Sequence, residues 1–161
     1  MADEEIVAVT EYVEDMMAFH KRTEIACNIP SYYHVGRAVL IDEVVESHND
    51  IGFFPETLYR TVDLIDRFLA VQELDQYELE LVGMSALFIA AKYEEIRDHS
   101  SKMYQLSETA YSVKQVVEME WIILDTLKFD LWHPTPYVFM KSFLKVAQSN
   151  KKVEHMSFFI L

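Results

Sequence analysis

Apolar residues recur along this chain with the three-to-four-residue period of helices rather than the two-residue period of strands. Ile6, Val9, Val13, Met16 and Met17 form the first stripe, on an acidic helix that should end near Thr23, ahead of the break at Asn28-Ile29-Pro30. A second helix is expected over 34–48. Gly52 and Pro55 close the turn after it and set the start of a third over 56–71. In that third helix Leu58, Val62, Ile65 and Leu69 make a regular stripe, and Leu64 and Phe68 widen it until little polar face remains. The fourth, over 75–96, carries no charge from Leu81 to Ala91. A helix that is apolar all round belongs at the centre of a bundle.

After a less regular stretch, 97–111, the residues Val113, Val116, Val117, Leu124 and Leu127 share one arc of a helix expected over 113–129. His133-Pro134-Thr135-Pro136 forbids helix, because proline has no amide proton and restricts the residue before it. The last main helix should cover 137–147. An apolar run then fills 153–161 and is expected to open a further domain. The pattern predicts an all-α fold of five main helices after an N-terminal one.

Composition narrows the class without changing that picture. The 161 residues are 51% hydrophobic with only 3 Gly and 4 Pro, which suits packed helices and opposes many-turned sheets or extensive disorder. The stretch from Leu81 to Ala91 is well short of the roughly 20 residues a membrane span needs, so no membrane role is expected. The acidic start, 1–5, is unlike a secretory signal. A lone Cys27 has no cysteine to pair with and fits a reducing compartment as a small apolar filler. The net charge of −13 opposes direct nucleic-acid binding, which needs clustered Lys and Arg.

Four charged residues conflict with the helical pattern. Glu120 falls inside the arc of Val116, Val117, Leu124 and Leu127, where an unpaired buried carboxylate would cost several kcal/mol. Lys92 shares an arc with Leu81 and Phe88 and directly follows the uncharged core segment, so its stem can lie on apolar surface. The two can pair with each other or face a partner, and periodicity supports both. Arg37 lies on the arc of Leu40, Ile41 and Val44, and Asp66 borders the apolar arc of the neighbouring helix. For these a bidentate bridge between packed helices is expected. No metal-binding, glycine-rich phosphate or nucleophile motif is present: there is no HExxH, and Gly36, Gly52 and Gly83 stand isolated. No cofactor is expected.

Several ordered stretches resemble the cyclin family over 12–161. They are Gly36-Arg37-Ala38-Val39-Leu40-Ile41-Asp42, Glu56-Thr57-Leu58-Tyr59 with Leu64-Ile65-Asp66-Arg67-Phe68-Leu69, and Leu81-Val82-Gly83 through Ala90-Ala91-Lys92-Tyr93-Glu94-Glu95-Ile96. Met119-Glu120 and Leu127-Lys128-Phe129-Asp130-Leu131 with Pro134-Thr135-Pro136 continue the series. The wording is closest to mitotic A- and B-type cyclins. The resemblance implies an N-terminal helix and linker over 1–30, a five-helix cyclin box over 31–148, and the start of a second repeat over 149–161, entered at Lys152-Val153-Glu154-His155.

The resemblance also implies a function, that of a non-catalytic subunit binding and activating a cyclin-dependent kinase in cell-cycle control, in nucleus and cytoplasm. A cyclin-box scaffold for transcription proteins is the alternative. Lys92 and Glu120 match residues that bond backbone groups of the kinase. Ile89, Tyr93, Leu124, Phe129 and Leu131 match a pocket for an apolar side chain of its C-helix, with Glu94 and Glu95 beside them. Arg37 and Asp66 match an internal salt bridge. Gly36, Val39, Leu40, Glu43, Glu46, Leu79 and Glu80 match a groove for Arg-x-Leu peptides of substrates or inhibitors. Family members usually carry Met and Trp where this chain has Gly36 and Glu43, so the groove is expected to be shallow and its docking altered.

Overall fold

The computed structural model describes residues 15, 18–19, 21–22, 29–96, 101–103 and 110–160. Of the expected N-terminal helix, the described Asp15, Ala18, Phe19, Lys21 and Arg22 are helical. Its stripe of Ile6, Val9, Val13, Met16 and Met17 lies outside the described residues, as do Cys27 and most of 97–111. After a single 3-10 turn, Ser31–Tyr33, come α1 (His34–Ile51), α2 (Pro55–Leu69), α3 (Gln76–Glu94), α4 (Val113–Thr126), α5 (Pro136–Val146) and α6 (Lys151–Ile160). The fold is all-α, with no strand among the described residues.

Local signals explain most of the boundaries. Asp75 accepts from the amides of Tyr77 and Glu78, and the Glu78 side chain accepts from the Asp75 amide, a reciprocal cap that starts α3. Ser112 and Gln115 start α4 in the same way. Each cap contributes about 1 kcal/mol. Helix α1 runs three residues beyond its expected end, because Gly52 takes the left-handed φ of 82° and its amide reaches the His48 carbonyl at 3.0 Å. Helix α4 stops at Thr126, short of residue 129, since Lys128 and Phe129 both turn left-handed.

The described residues form two compact units: those between 27 and 131, and those before 27 together with 132–161. In the first, α3 packs against α1, α2 and α4. Val82, Ala86, Leu87, Phe88 and Ala90 are completely buried, as are Leu64 and Ile65 of α2 and Val116 and Ile123 of α4. Burial stabilises each larger apolar side chain by about 1.5–3 kcal/mol. Two hydroxyls caught in this core are satisfied: that of Thr61 donates to the Thr57 carbonyl at 2.7 Å, and that of Ser85 to the Val116 carbonyl at 3.4 Å. In the second unit Tyr137 of α5 meets Phe158 of α6 with ring centroids 4.8 Å apart, and Phe19 stacks on Trp132. Residues 132–148, grouped by the sequence reading with 31–131, cluster in this second unit.

Close approach of α3 to α1 depends on Gly83. A Cβ there would lie 2.4 Å from Leu40 Cδ1 and 3.1 Å from Leu40 Cγ. Gly83→Ala should gain about 1 kcal/mol of helix propensity but lose about 1–3 kcal/mol to overpacking, lowering the urea midpoint. Trimming the neighbour in Gly83→Ala/Leu40→Val should lose less than the sum of the single changes.

Candidate functional site

Lys92 stands in the last turn of α3 and Glu120 in the middle of α4, two helices in direct contact. Lys92 Nζ donates to both carboxylate oxygens of Glu120, at 2.6 and 2.8 Å. Glu120 is nearly buried, with 8% of its side chain exposed, while Lys92 keeps 50%. The carboxylate lies inward and the ammonium at the boundary, and the two are paired. The pair leaves one ammonium proton and half of the lysine side chain facing outward.

The next three residues turn in other directions. Glu94 accepts from Arg60 Nε at 3.0 Å, and the Arg60 guanidinium lies 5.3 Å from the centre of the Tyr93 ring. Glu95 accepts from the Phe54 amide at 2.7 Å and the Thr57 hydroxyl at 2.6 Å, placing its negative charge at the positive N-terminal end of α2. Glu94 and Glu95 are thus engaged within the chain, holding α3 to α2.

Of the apolar residues grouped with Lys92, Ile89 is buried in the core, and Leu124 and Leu131 are half-buried against it. Tyr93 and Phe129 reach the surface, at 48% and 54% exposure. Phe129 stands out because of the turn ending α4. Lys128 and Phe129 have φ of 56° and 57°, and the Phe129 amide returns to the Leu124 carbonyl at 2.8 Å. Left-handed backbone costs about 1–2 kcal/mol at each non-glycine residue. Trp121 lies edge-on to the Phe129 ring with centroids 5.9 Å apart, and its neighbour Ile122 is also exposed.

Arg37 and Asp66 form a bidentate bridge between α1 and α2, Nε to Oδ1 at 2.6 Å and Nη2 to Oδ2 at 2.8 Å. Its hydrogen bonds to Asp66 push the guanidinium further above its usual range, against the opposing effect of burial.

Gly36, Val39, Leu40, Glu43, Leu79 and Glu80 line one cleft of about 490 Å³, whereas Glu46 lies on α1 outside its lining. The groove expected here takes the form of an open cleft. Gly36 fills none of it, and Tyr32, Tyr33, Val35 and Leu74 add walls that helix periodicity did not assign. Tyr33 is fixed there by donating to the Gln72 carbonyl at 3.2 Å. The rim is acidic. Burial, together with the charges of Glu80 and Glu46, raises the Glu43 carboxyl above its ordinary range. Across the rim the Tyr111 hydroxyl donates to Glu80 at 2.8 Å, and burial with that bond pushes it up to about 12.

Sequence reasoning missed Arg60, Thr57 and Tyr111. Arg60 had a legible signal: it shares the arc of Thr57, Thr61, Leu64, Ile65 and Phe68, the same conflict that exposed Glu120. Tyr111 had none, since its partner is 31 residues away. Among the described residues no three His, Cys, Asp or Glu side chains gather to hold a metal, and no helix is long and apolar enough to cross a membrane.

The family model described as cyclin, N-terminal domain, matches residues 8–132. The chain is 43% identical to Cyclin-B2-3 of Arabidopsis thaliana, 42% to Cyclin-B2-1 of Oryza sativa subsp. japonica and 40% to G2/mitotic-specific cyclin-2 of Medicago sativa. Each match covers 96% of this chain and, respectively, 38%, 39% and 50% of those proteins, so the chain spans half or less of the length of each.

The raised carboxyl of Glu43 has a pH signature. The folded state holds this proton more tightly than the unfolded chain does, so ionising Glu43 between acid and neutral pH lowers folding stability. Glu43→Gln should therefore raise the melting temperature at neutral pH and hardly change it in acid. Added salt should shrink the gain.

Proposed function

The chain belongs to the cyclin family, and from that premise we propose that it is a regulatory subunit which docks on a cyclin-dependent protein kinase and activates it in cell-cycle control, in nucleus and cytoplasm. It supplies no catalytic group. The observation that carries this reading is the coincidence of the family match with the face built by Lys92, Tyr93, Glu120 and Phe129. That face combines an outward ammonium on a nearly buried carboxylate with two exposed rings, a mixture suited to a helix and its neighbouring backbone carbonyls.

Docking there holds the kinase's C-helix inward, where its glutamate pairs with the phosphate-binding lysine, and draws the activation loop off the substrate site. The remaining ammonium proton of Lys92 bonds a kinase carbonyl while Glu120 keeps the ammonium aligned. The cleft beside α1 receives short basic-apolar peptides of substrates or inhibitors in an altered mode. Its carboxylates attract the cationic residue, and the floor at Leu40 and Leu79 takes the apolar one.

The intact protein mixed with a cyclin-dependent kinase should bind it and raise histone phosphorylation, and failure of both would overturn the proposal. Lys92→Ala and Glu120→Ala should each weaken the complex by about 2–5 kcal/mol. Lys92→Ala should also lower the melting temperature by leaving the Glu120 carboxylate unpaired. Lost stability with unchanged affinity would assign the pair a purely internal role. For the cleft, Gly36→Met with Glu43→Trp should change the affinity of an Arg-x-Leu peptide measured by titration calorimetry. A Met at 36 requires Leu79 to move, since a Cβ there already lies 3.0 Å from Leu79 Cδ1. No change would count against the cleft as the docking site.

A further inference from the structure

Tyr93 is half exposed, and a buried cation stands against its ring. Arg60, with 7% of its side chain exposed, projects from α2 and brings its guanidinium to 5.3 Å from the ring centre, within cation–π range. Glu94 accepts from Arg60 Nε at 3.0 Å and offsets its charge. Glu95 ties the start of the same helix to the same end of α3 through Phe54 and Thr57. Both ends of this arrangement are therefore fixed: Arg60 by its helix, and that helix by Glu95.

We infer that Arg60 is a positioning residue of the docking face, holding the Tyr93 ring in its docking orientation without touching the kinase. The inference rests on the docking reading above. Ordering a rotamer-rich side chain on binding weakens affinity by about two- to tenfold per side chain, and Arg60 removes that penalty from Tyr93 before the kinase arrives.

Two measurements test it. In the free protein, NMR should show ring-current shifts on the Arg60 side-chain protons that Tyr93→Leu abolishes. In titration calorimetry against a cyclin-dependent kinase, Tyr93→Leu should lose about tenfold in affinity and Arg60→Gln about two- to tenfold. Arg60→Lys should recover most of the loss because it retains a cation at the ring. Arg60→Gln/Tyr93→Leu should bind no worse than Tyr93→Leu alone. Losses that multiply, or an Arg60→Gln protein that binds like the parent, overturn the inference. So does a parent without the ring-current shift. A parent that shows the shift but binds no kinase overturns the docking role, and the failure then lies with the functional reading. If Arg60→Gln does not fold, Glu94→Gln, which leaves Arg60 in place but removes its charged partner, should give a smaller loss that vanishes in the Tyr93→Leu background. Additive losses there overturn the inference.

Discussion

Everything in the first unit follows from a helix that has no side it can show to water. From Leu81 to Ala91 α3 carries no charge, and α1, α2 and α4 are arranged as its walls. Such a helix reaches solvent chiefly toward its ends, so much of its polar chemistry is compressed into the turn where it emerges. With each residue rotated by about 100°, Lys92 reaches α4, Tyr93 and Glu94 meet Arg60 of α2, and Glu95 reaches the start of α2. The same four residues that terminate the core helix bind two of its walls together. A docking face at this place is already braced by the core.

The two surfaces on this unit handle charge differently, although Glu80 of the cleft has the Tyr111 hydroxyl as a partner. At the end of α3 each carboxylate has a cation, an amide or a hydroxyl as partner. Beside α1, Glu43 and Glu80 of the cleft and the nearby Glu46 repel one another, and burial first, then that repulsion, raises the Glu43 carboxyl. Like charges retained next to apolar walls make a surface that gains from a cation supplied from outside.

What periodicity reveals is the direction of a side chain, and that much was legible. It placed the core helix, the inward carboxylate of Glu120 and the Arg37–Asp66 bridge between helices. Helix starts were legible too, because Asp75, Ser112 and Pro55 act on their own first turns. Helix ends were less so: α4 stops early through backbone conformations of Lys128 and Phe129 that neither residue type favours. Contacts across long separations were hardest. The bonds of Glu95 to Thr57 and of Tyr111 to Glu80 span 38 and 31 residues, and no local pattern encodes them. Periodicity also could not decide whether Lys92 faced Glu120 or a partner. The geometry allows both at once, since an ammonium has more protons than one carboxylate uses.

The left-handed turn after α4 has a kinetic side. Holding two ordinary residues in that conformation is a permanent charge on the stability of the free protein, about 1–2 kcal/mol each. In return the Phe129 ring is presented, edge-on to Trp121, before any encounter takes place. A partner arriving by diffusion meets a preorganised ring rather than one that must be searched for, so fewer collisions are wasted on conformations that cannot dock. Under the docking reading proposed above, relaxing the turn with glycine would ease the fold while slowing capture, which separates a residue kept for equilibrium stability from one kept for the speed of association.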